Sequence, residues 1–79
     1  MTLRALRRAR AADAAFVESA YRTGLALRSH ASEDVAEAAG VLLNYVDSYR
    51  VGDASLAHVR AALAGALLAG EAANSDTVI

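Results

Sequence analysis

The chain has no cysteine, no proline, no tryptophan and no lysine, and only four aromatic residues. Without cysteine there is neither a disulfide framework nor a thiolate metal site. A chain of 79 residues must then find its stability in packing, alone or with a second chain. β-Branched residues are few and scattered, which argues against strands. The formal charge of −1 says nothing about an anionic or cationic partner. No secretory signal is visible, because the Arg-rich start is not followed by an apolar h-region. The most apolar run, residues 61–70, is too short to cross a bilayer. These absences lead to the expectation of a cytoplasmic protein without membrane contact.

What is present is helix-forming. Alanine fills 21 positions and leucine 10, close to the strongest helix-forming mixture available. Charge is distributed unevenly. Residues 1–10 hold Arg4, Arg7, Arg8 and Arg10 and no acid, while the remainder sets four arginines against nine carboxylates. A GC-rich coding bias explains the use of Arg alone as readily as a need for bidentate guanidinium contacts does.

The periodicity predicts three helices. Helix 1 covers about residues 3–28 after a Thr2 cap, with Leu6, Ala9, Ala12, Phe16, Val17, Ala20, Gly24 and Leu27 on one face. Asp13 interrupts that stripe. After a polar connection, helix 2 covers about 33–50 from a Ser32 cap, with Glu33 and Asp34 where the dipole favours acids. Its stripe is Val35, Ala38, Ala39, Leu42, Tyr45, Val46 and Tyr49, and Gly52 suits the position just past its end. Helix 3 covers about 54–72 from an Asp53 or Ser55 cap, with Leu56, Val59, Leu63, Ala66, Leu67 and Gly70 on its main face. Its reverse side, Ala57, Ala61, Ala64, Gly65 and Leu68, is small and apolar too, as in a helix that is central or contacts a second chain. Residues 74–79 are expected to fray.

The fold expected is therefore a single all-α domain, a small three-helix bundle in which helix 1 packs on an antiparallel helix 2–helix 3 hairpin. Helices of 26 and 18 residues, about 39 Å and 27 Å long, do not match end to end. Residues 1–10 overhang, carrying Leu3 and Leu6 beside the four arginines. Homodimerisation through this overhang or through the small-residue face of helix 3 is expected. Leu3, Arg4, Leu6, Arg7, Arg8, Arg10, Ala57, Ala61, Ala64 and Leu68 are the candidate partner-binding residues.

Chemistry-bearing groups are sparse. The registry places Asp13, Tyr49 and Arg60 at one level, where a structural polar cluster is a simpler reading than an anion or proton-handling pocket. Tyr45 and Tyr49 read as core aromatics with hydroxyls at the edge. Neither His30 nor His58 has a partner at metal-ligand spacing, so no metal, no cofactor and no catalytic residue is expected.

Gly52-Asp53-Ala54-Ser55-Leu56 resembles the phosphopantetheine attachment motif of carrier proteins, which implies Ser55 as the modified residue. Ala54 stands where that family has Asp or His, and fewer residues follow the serine than the family's fold needs. A helix cap explains Ser55 with nothing added. The same junction resembles a helix-turn-helix turn, though Asp53 stands where an apolar residue belongs and helix 3 lacks polar or basic residues to read bases. The helix order is similar to that of small helical chorismate mutases, but their Arg- and Lys-lined pocket has no counterpart here. Compact proteins of phages and other mobile elements, anti-CRISPR inhibitors among them, are similar in size and in lack of chemistry. The function expected is a non-catalytic protein-binding module, an adaptor or small inhibitor. The alternatives are a nucleic-acid-associated dimeric regulator using the Arg cluster, and a carrier protein.

Overall fold

The computed structural model describes residues 2–76, which form three helices: α1 (Leu3–Arg28), α2 (Glu33–Arg50) and α3 (Leu56–Asp76). There is no strand among the described residues. Each junction has a local cause. Thr2 is extended (φ −78°, ψ 157°), and its Oγ1 accepts the Ala5 N–H at 3.2 Å, which satisfies one orphan donor of α1. Ser32 stands at the cap of α2 without a capping bond from its side chain. Its own N–H donates to His30 Nδ1 at 3.0 Å instead, so His30 closes the interhelical connection.

The end of α2 is a left-handed glycine turn. Gly52 has φ +85°, its N–H reaches the Tyr49 carbonyl at 3.1 Å, and the Asp53 N–H reaches the Ser48 carbonyl at 2.8 Å. This is the paired Schellman arrangement, and it satisfies two carbonyls that the helix leaves open. Because this turn takes up residues 51–53, α3 starts at Leu56 rather than at 54. The Ser55 carbonyl receives the first helical bonds, from the N–H groups of His58 and Val59. At its other end α3 runs through Asp76, past the expected end near residue 72. Of the tail expected to fray, residues 77–79 lie outside the described residues.

The helices pack because their stripes converge. Val17 and Ala20 of α1, Val35, Ala39, Leu42 and Val46 of α2, and Val59 and Ala66 of α3 are buried. Phe16, Tyr49, Leu56 and Leu63 are half-buried around them. α2 supplies half of the buried set and lies between the other two helices. Full burial of Leu42 contributes about 2 kcal/mol from removed apolar surface. No polar or charged side chain is buried among the described residues. α1 packs tightly on α2 at buried Gly24, where a Cβ would sit 2.8 Å from Leu43 Cδ2.

Besides Leu6, Ala9 and Ala12 on the overhanging start of α1, two residues expected on core stripes lie outside. Tyr45 is 38% exposed and Leu67 is 50% exposed. With only three helices, each stripe meets neighbours over a narrower arc than its apolar width, so its edges stay in water. The radius of gyration is 14.5 Å, against about 12 Å for a compact chain of this length. The cause is the overhang: residues 2–12 are all exposed although they continue α1 without a break.

Candidate functional site

Three surfaces stand apart from the packed centre. The first is the free half of α1. The direction that carries buried Val17, Ala20 and Gly24 continues through Asp13 and Ala9 to Leu6, with Leu3 near its edge. Leu3 is 65% exposed, and Leu6 is exposed as well. Arg4, Arg7 and Arg8 project from the other side, and Arg10 lies towards the apolar edge. None of these four arginines forms an ion pair among the described residues. The arm is thus an amphipathic helix whose apolar stripe outruns the hairpin that covers its other half.

The second surface is the outer face of α3. Ala57, Ala61, Ala64, Gly65 and Leu68 are all exposed, Leu68 at 64%. Over Leu56–Ser75 this helix is long and apolar enough to cross a membrane by length and composition, and only 11% of that window is buried. The run 61–70 is therefore the middle of a helix twice its length, which corrects the length argument made from the run alone.

The third is a groove of about 440 Å³ between α1 and α2, lined by Arg10, Asp13, Ala14, Val17, Glu18, Tyr49 and Arg50. Here Asp13 and Tyr49 come together, but Arg60 does not join them. Its guanidinium carbon lies 5.4 Å from the centre of the Phe16 ring. No hydrogen bond or ion pair links Asp13, Tyr49 and Arg60, so each charge keeps its water and Arg60 gains a cation–π contact instead.

No protein-family model, curated protein or solved structure matches this chain. The chemistry must therefore be read from the residues alone, and it is sparse. Glu18 bridges Arg22 on its own helix at 3.3 Å and Arg50 of α2 at 3.5 Å, while Arg50 also lies 4.8 Å over the Tyr21 ring. This cluster ties α1 to α2 near the surface, and its signal in the sequence was only the Glu18–Arg22 spacing.

Ser55 and His58 form a second unforeseen unit. His58 Nδ1 accepts the Ser55 N–H at 3.1 Å and lies 2.8 Å from Ser55 Oγ, and Ser55 Oγ accepts the His58 N–H at 3.4 Å. The three-residue spacing is that of a capping box, with an imidazole nitrogen in place of the usual carboxylate oxygen. The His58 ring then stacks on Tyr45, with centroids 5.6 Å apart and planes 3° from parallel. The unit joins the cap of α3 to the side of α2. Among the described residues no group of three His, Asp or Glu side chains is placed to hold a metal ion.

Proposed function

We propose that this protein is a non-catalytic, oligomeric protein-binding module, an adaptor or small inhibitor, that acts through the free half of α1 and the outer face of α3. The observation that carries this reading is the exposed continuation of α1 over residues 2–12, with Leu3 and Leu6 in water on an intact helix. An amphipathic helix of this kind lays its apolar side into a groove on a partner, anchored at three- and four-residue steps. The arginines on its other side tune encounter and orientation.

A second reading has its own observation. Arg4, Arg7, Arg8 and Arg10 are exposed and make no ion pair among the described residues, which leaves them free for phosphates. Their directions span nearly half the circumference of α1, too wide for a ridge that tracks one backbone, and no aromatic interleaves them. Protein recognition is the better fit.

The test is affinity capture from a lysate of the source organism, with and without nuclease, using the wild type and Leu3→Asp/Leu6→Asp. A discrete protein that survives nuclease and a salt wash, and is lost with the double variant, supports the module. Recovery that vanishes with nuclease or falls steeply with salt moves the function to nucleic acid.

A further inference from the structure

The outer face of α3 carries a pattern beyond being apolar. Ala57, Ala61, Ala64, Leu68, Glu71 and Ser75 are all exposed and follow one another at steps of four, three, four, three and four residues. That alternation makes a continuous seam of the kind that packs against another helix. Arg60 and Glu71 are the only acidic or basic residues in the window Leu56–Ser75 apart from His58. They stand eleven positions, or about three turns, apart, and so project within roughly 20° of each other on the same flank of the seam.

We infer that a second copy of this chain covers the α3 face, with the two α3 helices antiparallel about a two-fold axis near Ala64 and Leu68. This rests on reading the α3 face as a protein-binding face, and it names the partner. In the antiparallel arrangement the two-fold keeps each flank on its own side and reverses the helix direction. Arg60 then comes level with Glu71 of the second copy, and Glu71 with its Arg60. To within one residue the same register sets Ala57 opposite Ser75, Ala61 opposite Glu71 and Ala64 opposite Leu68, so alanines meet larger residues along the seam. A parallel pair would place Arg60 level with Arg60 and Glu71 level with Glu71, on opposite flanks. The charges thus select one orientation, and the interface is self-complementary as a two-fold contact requires.

A bilayer suits this face less well. The stretch between Arg60 and Glu71 is ten residues, about 15 Å of helix, half of a hydrocarbon core of about 30 Å. A spanning α3 would hold both charges in hydrocarbon.

The test is sedimentation equilibrium of the full chain over a range of concentrations, with far-UV circular dichroism confirming that each variant folds. The expected result is a wild-type dimer that weakens roughly tenfold with either Arg60→Glu or Glu71→Arg. It recovers in the double variant R60E/E71R. Since the chain lacks cysteine, oxidising A57C mixed with S75C should give the mixed disulfide and little of either homodimeric product. A folded monomer at all concentrations overturns the inference. So does a dimer indifferent to both charge reversals, a disulfide between two A57C chains, or a monomer that partitions onto neutral lipid vesicles. A monomeric wild type that still captures a lysate protein, and loses it on Leu68→Asp, overturns the second copy as occupant and leaves the binding-module reading intact.

Discussion

Replacing Gly24 by alanine should destabilise the bundle although it improves the helix. In a helix interior the change from glycine to alanine gains about 1 kcal/mol of backbone propensity. Gly40, one helix away, shows that gain alone, since a Cβ there meets nothing within 4 Å. Gly24 lies where α1 packs against α2, and its new Cβ would fall 2.8 Å from Leu43 Cδ2 and 2.9 Å from Leu43 Cγ. Ordinary carbon contacts lie near 3.5–4.0 Å, so Leu43 must retreat by more than about half an ångström. Its branch carbon is involved, so a methyl rotation does not suffice. Overpacking of this kind costs about 1–3 kcal/mol. The net expectation is a loss of roughly 1 kcal/mol for Gly24→Ala and a gain of roughly 1 kcal/mol for Gly40→Ala. For a domain of this size that separates the two melting temperatures by about 8–16 °C. Thermal unfolding followed by far-UV circular dichroism, at one protein concentration, measures it. Adding Leu43→Ala should remove the difference, because the two sites share one contact. If Gly24→Ala stabilises as much as Gly40→Ala, α1 and α2 do not approach as described and the packing argument fails.

The junctions and the surface cluster give three further expectations. Gly52→Ala should cost about 1 kcal/mol in urea unfolding, because a side chain is strained at φ +85°; a neutral result would contradict the Schellman turn. Ser55→Ala should cost about 1 kcal/mol through lost capping, and nuclear magnetic resonance should show the change spreading to the His58 and Tyr45 rings; rings that do not respond would refute the capping box. Glu18→Gln should cost less than about 1 kcal/mol, since both of its ion pairs are solvent-exposed; a larger loss would mean the cluster is structural.

That the chain makes three helices was legible from its alanine and leucine content and from the cappers Thr2, Ser32 and Gly52. The start of α3 was less so. Asp53 and Ser55 are both good caps, and the choice between them depends on how many residues the Gly52 turn consumes. The stripe on α2 was readable as a direction but not as a width, which is why Tyr45 reads as core and stacks on His58 at the rim. Arg60 shows a further limit. Registry puts it near Asp13, yet Phe16 stands at the same level, and which of them a guanidinium meets is settled by side-chain reach and hydration. His58 as a capping acceptor was hidden because that role is usually read from Glu or Gln at the same spacing.

The most direct test of the account is backbone amide exchange along α1, free and with the captured protein bound. In the free protein, residues 2–12 should exchange far faster than the amides around Leu42, since that half of the helix has no packing to hold it. On binding, protection should appear first and most strongly at Leu3, Leu6 and their neighbours. Protection confined to other regions, with residues 2–12 exchanging as in the free protein, would contradict the claim that this arm is the docking element.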